Sequence, residues 1–162
     1  MKSRALIFLL SFPFFLLNAQ QEKTLLNYQM DLMKLVNQQR ILGCHCGSIY
    51  YPPVSPLNWS SKLESASQIQ AKYLATKLVL THRGDDGKDV RARLAKVNYS
   101  WKTYSENIAN GFEEVEEVFA AWMASSGHCK NIMGDYKEMG VFRIDGFWIQ
   151  DFASPKTIEN TE

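Results

Sequence analysis

Residues 116–133, EEVFAAWMASSGHCKNIM, change character halfway along. Val115, Val118, Phe119 and Trp122 recur at helical spacing, so they form the apolar stripe of an amphipathic helix. Glu113, Glu114, Glu116 and Glu117 fall in its first turns, where negative charge complements the helix dipole. A solvated, stabilising face accounts for them better than paired catalytic carboxylates. Gly127 is expected to stop the helix. His128 and Cys129 then stand side by side on an irregular segment, the kind of place where functional residues concentrate. They could be a base and its nucleophile, two metal ligands, or neighbours with separate jobs.

Working outward, MGVFRIDGFWIQDFA at 139–153 is the clearest hairpin signal, two β-rich runs flanking Asp145-Gly146. Upstream, YSWKTYSENIANG (99–111) reads as a strand, DVRARLAKV (89–97) as a short helix and THRGDDGKD (81–89) as a loop. A helix is expected from Ser60 or Ser61 to about Leu80, with Ser61 and Glu64 as a capping box and Leu63, Ala66, Tyr73 and Leu74 inward. Residues 44–59, CHCGSIYYPPVSPLNW, read as an extended loop. An earlier helix spans 24–42, with Leu25, Tyr28, Leu32, Leu35 and Val36 on one face and Gly43 as its stop. Helices in front and strands behind, with no repeat and no linker, predict a single α+β domain over 24–153 and a polar tail over 154–162.

The chain opens with MKSRALIFLLSFPFFLLNA, which has the basic start, apolar run and small residue of a secretory signal over residues 1–19. The apolar run is shorter than the roughly 20 residues of a membrane span, so no stable span is expected after cleavage. A secreted or periplasmic location follows. Loss of Lys2 and Arg4 with the signal moves the net charge from +1 to −1. That balance excludes nucleic-acid partners recruited by bulk charge.

Cys44, Cys46 and Cys129 therefore reach an oxidising compartment, where a disulfide is the default. A bridge between Cys44 and Cys46 would close a strained ring. Cys129 is expected to pair with Cys46, or alternatively with Cys44, leaving one thiol unassigned. Closing so long a loop is worth roughly 4–5 kcal/mol in the chain-entropy model. A zinc site built from all three thiolates is the competing reading.

The sequence holds no HExxH, GxSxG, GxxxxGK[ST] or CxxC pattern. Of three histidines, His45 reads as a surface residue, while His82 and His128 follow helix ends. Glu106 lies among core-like residues and needs a partner, for which histidine is a natural choice. Two histidines and a carboxylate make a reasonable open ligand set for zinc or another divalent metal. A Cys129 nucleophile with His82 as base is the sharper enzymatic alternative. Asn107 and Asn131 are expected to bond loop backbone.

THRGDDG, SENIANG, EEVFAAWMASSGHCKNIM, MGVF and FWIQDFA occur in that order, preceded by VNQQR and PLNWSSKLESAS. Together, over residues 28–153, they resemble the bacterial branch of the CAP superfamily, the SCP domains. The resemblance implies a three-layer α-β-α sandwich with a small antiparallel sheet, and a cleft that in some members binds divalent metal. It also implies that His82 is the first cleft histidine, Glu106 the glutamate of a GEN motif whose glycine is Ser105 here, and His128 the histidine of a GH motif. A second cleft glutamate, three residues after the helix tryptophan in eukaryotic members, is replaced by Ser125. The expected function is a binding module for a divalent metal and an extracellular partner or lipid. A metal- or His/Glu-dependent hydrolase, with His82, Glu106 and His128 as its catalytic candidates, and a structural envelope protein with no active site are the alternatives.

Overall fold

The structure, a computed structural model, describes residues 14–156, with side chains from residue 28 onward. Residues 1–13 of the expected leader and 157–162 of the expected tail lie outside the described residues. Among the described residues no helix is long and apolar enough to cross a membrane.

Four strands form the central sheet: β3 (Asn58–Trp59), β4 (Trp101–Asn110), β5 (Glu138–Ile144) and β6 (Phe147–Pro155), in the order β3-β5-β6-β4. β6 pairs antiparallel with both β4 and β5, while β3 joins β5 in parallel. The β5–β6 turn is the expected Asp145-Gly146 pair, with both residues at positive φ as a two-residue hairpin requires. Because strand side chains alternate, β6 sends Trp148 and Phe152 into one core and Phe147, Ile149 and Ala153 into two smaller clusters opposite.

Helices cover both faces. On the Trp148 side lie α1 (Phe14–Leu42), α4 (Val115–Ala124) and α5 (Ser126–Ile132). On the other lie α2 (Ser61–Lys77) and α3 (Val90–Lys96). This is the α-β-α sandwich. α2 lies so close on β5 that a Cβ added to Gly140 would come within 2.1 Å of the Glu64 backbone nitrogen.

The residues explain several departures from expectation. α2 is capped by Ser60, whose hydroxyl accepts from Leu63 N–H, rather than by a box starting at Ser61. It stops at Lys77 because Leu78 turns left-handed and returns its N–H to the Leu74 carbonyl. Leu63, Ala66 and Leu74 are buried as expected, and Tyr73 only partly. The expected loop at 44–59 contains a hairpin, β1 (Cys44–Cys46) with β2 (Ile49–Tyr51), turning at Gly47 with φ 64°. Gly127 does not end a helix. The chain breaks earlier, at the extended Ser125, and Gly127 lies in the first turn of α5. His128 is accordingly helical.

Candidate functional site

β4 is an edge strand of the sheet, in contact with α3 and with α5. Glu106 and Asn107, adjacent on β4, point to opposite faces. Glu106 faces α2 and α3 while Asn107 faces α5.

On the first face, Glu106 is buried, and both its oxygens are engaged. Oε1 lies 2.8 Å from His82 Nδ1, and Oε2 accepts from Arg93 Nη2, also buried. The α3 spacing explains Arg93. Val90, Arg93 and Leu94 share one inward face, so the guanidinium enters the interior and needs a carboxylate there. The backbone of the His82 loop is held at three successive carbonyls. Gln70 Nε2 donates to Thr81 O (2.6 Å) and Arg83 O (3.1 Å), and Arg93 Nη1 to His82 O (3.3 Å). The His82 ring itself stays 58% exposed, so with Nδ1 taken by Glu106 its Nε2 is left for a ligand.

Beneath Glu106, and paired with it in register, is Asp151, fully buried with Ser67 Oγ donating to it at 2.9 Å. Burial, reinforced by the negative charge of Glu106, pushes its carboxyl well above the usual carboxylate range. Neither Arg93 nor Asp151 was expected at the site.

On the second face, Asn131 Nδ2 donates to the Glu106 carbonyl (3.2 Å) and to Asn107 Oδ1 (2.9 Å), and Asn107 Nδ2 to the His128 carbonyl (3.3 Å). Both asparagines thus bond backbone, though that of β4 and α5 and not of a loop as expected, and they fix α5 against β4. His128 is half-buried. Burial lowers its pKa, and the nearby His82 lowers it further, so His128 tends to stay neutral. His82 and His128 thus come from opposite faces of the sheet, near enough for one charge to influence the other, and His82 is oriented by a buried carboxylate. Such a carboxylate–histidine pair fixes tautomer and ring direction, the arrangement that supports metal-bound histidines and general bases alike.

Residues 33–151 match the profile of CAP, the cysteine-rich secretory protein family. The chain belongs to this family. Its CAP domain is 29% identical over 128 residues to the uncharacterized protein YkwD of Bacillus subtilis, covering 77% of this chain and 46% of that protein, so it spans about half the length of that relative. In fold it is similar to an extracellular SCP-domain protein from Bacillus anthracis (TM-score 0.69, 18% identity, 79% of this chain and 40% of that one). It is also similar to an outer surface protein from Borrelia burgdorferi (TM-score 0.63, 21% identity, 83% and 94%).

His82, Glu106 and His128 are not drawn into one tight cluster. Among the described residues, the group of three whose ligating atoms all lie within 4.8 Å is Cys44, Cys46 and Cys129. Cys46 and Cys129 are joined in a disulfide, their Cα atoms 5.5 Å apart, and Cys44 is free. The bond overturns the three-thiolate zinc reading and removes Cys129 as a nucleophile. The donors left for a cation near the β4 edge are the two imidazoles, with Glu106 behind His82. That set fits a weak, exchangeable site and not a closed structural one.

Proposed function

We propose that this is an exported binding domain whose two edge histidines hold a divalent cation such as zinc, and that an extracellular partner or lipid docks over them. His82 Nε2 and His128 would be the protein ligands, with Glu106 holding the His82 ring. The cation would supply a Lewis-acidic centre. The domain's own residues orient the His82 ring through Glu106, whose other oxygen accepts from Arg93. The observation carrying this reading is the 2.8 Å contact between His82 Nδ1 and a fully engaged buried Glu106, with the ring otherwise exposed. The extracellular and outer-surface descriptions of the structural relatives support export.

Calorimetric zinc titration near neutral pH tests it. Wild type should bind weakly, and His82→Ala/His128→Ala should lose the heat. Equal binding by both would sink the assignment.

The same pair also favours a second reading, a hydrolase in which His82, oriented by Glu106, takes a proton from an attacking water. Screening peptide, ester and cell-wall substrates with and without zinc separates the two. Turnover abolished by the double substitution would support the hydrolase, and no turnover would leave the binding domain. A double variant that keeps zinc binding and catalysis unchanged but melts earlier would leave only a structural role for the cluster.

A further inference from the structure

Three sulfurs meet where the β1–β2 hairpin touches α5. Residues two apart on a strand share a face, so Cys44 and Cys46 both point at Cys129, while His45 turns away onto Tyr50, ring centroids 5.1 Å apart. The free Cys44 Sγ lies 3.7 Å from Cys129 Sγ and 3.9 Å from Cys46 Sγ. The proposed cation site leaves this thiol without a task.

We propose that Cys44, Cys46 and Cys129 form a disulfide-exchange site, in which the bond moves from Cys46–Cys129 to Cys44–Cys129. The Cys44 thiol gives its proton to solvent, and the thiolate attacks Cys129 Sγ. A Cys44–Cys129 bond forms as the Cys46–Cys129 bond breaks. Cys46 leaves as a thiolate and takes up a proton. One disulfide and one thiol stand on each side, so no outside oxidant or reductant enters. Attack at Cys46 would instead close the strained two-apart ring. Cys129, the nearer sulfur, is therefore the electrophile. Cys44 stands beside the bond, almost equidistant from its two ends, rather than along its axis. Exchange thus needs rotation about the Cys44 Cα–Cβ bond or a small shift of the three-residue strand.

The two isomers differ in what they show to solvent. Cys44 is only partly covered, whereas Cys46 is 1% exposed. With the bond at Cys46 the domain presents a reachable thiol, and with the bond at Cys44 the remaining thiol is sealed. The exchange therefore decides whether a thiol-reactive molecule can couple to this surface. Burial raises the Cys44 pKa, so its thiolate is scarce near neutrality and exchange accelerates with pH.

The test uses the folded, oxidised full chain at low concentration, held at pH 6 or pH 9, quenched in acid, alkylated and mapped without reduction. Fragmentation between residues 44 and 46 tells the isomers apart. At pH 9 the Cys44–Cys129 cross-link should appear over minutes to hours, at least tenfold faster than at pH 6. Cys46→Ser should close Cys44–Cys129 and show no free thiol after denaturation. Cys44→Ser should keep one cross-link at both pH values. The proposal is overturned if Cys46–Cys129 stays the sole wild-type cross-link at pH 9, or if folded Cys46→Ser carries two free thiols.

Discussion

His82 Nδ1 lies 2.8 Å from Glu106 Oε1, and the partners differ sharply in exposure, 58% against 3% for their side chains. The exposed ring is the part that meets a ligand, and the buried carboxylate is the part that holds it. Glu106→Gln removes the charge facing Arg93, which is also 3% exposed. Loss of one partner of a buried pair costs about 3–5 kcal/mol, read as a lower urea midpoint. His82→Ala removes a mainly solvated ring and should change stability by less than about 1 kcal/mol. Comparable losses for the two would mean that His82 is structural.

Asp151→Asn separates charge from shape below the same site. A carboxyl whose folded-state pKa is raised holds its proton more tightly folded than unfolded. Its contribution to stability is full below the ordinary aspartate pKa of about 3.9, and is lost as pH rises toward the folded-state value. Asparagine carries no such dependence and can still accept from Ser67. Denaturation at pH 5 and pH 8 should show the variant gaining on wild type as pH rises. Parallel curves would mean that Asp151 is ionised in the fold.

Arg40 is 1% exposed, and its guanidinium donates to Ser55 O (2.8 Å), Ile132 O (2.7 Å), Gly134 O (2.8 Å) and Tyr136 O (3.4 Å). Arg40→Met keeps the stem but leaves these carbonyls without their donor. At about 1–3 kcal/mol for an unsatisfied buried group, the loss should reach at least 3 kcal/mol by chemical denaturation. A loss below 1 kcal/mol would show that water replaces the arginine.

Gly140→Ala drives a methyl group into the α2 backbone at Leu63 and Glu64. Backbone cannot swing aside as a side chain can, so overpacking of about 1–3 kcal/mol is expected. The companion Gly87→Ala meets nothing within 4 Å but sits at φ 68°, so its smaller cost, near 1 kcal/mol, would come from conformation alone. A Gly140→Ala melting point equal to wild type would mean that α2 can lift off the sheet.

Much of the fold is legible in the sequence because its strongest signals are local. The Asp145-Gly146 turn and the Val118–Trp122 stripe depend on neighbours within a few residues. What the sequence hides is a polar residue on an apolar stripe. Arg40 continues the Leu32–Val36 face and Arg93 the Val90–Leu94 face, and their burial depends on partners far away in the chain. Asp151 is concealed similarly in a strand whose neighbours are all buried. At the site, His82 and Glu106 stood out because a buried carboxylate needs a partner, but nothing local announces that Arg93 takes its other oxygen. The break at Ser125 was also hidden, since helical residues continue on both sides of it.

Ser125 lies between α4 and α5, the C-cap of one and the N-cap of the other, and its side chain caps neither. Beside the Asn107 and Asn131 bonds that join it to β4, α5 is held by the bond from Cys46 to Cys129, and Arg40 grips the carbonyls of Ile132 and Gly134. The position of His128 thus depends in part on residues 40–46, which supply no group to the candidate site. A substitution in that distant stretch is, in effect, an edit to the site.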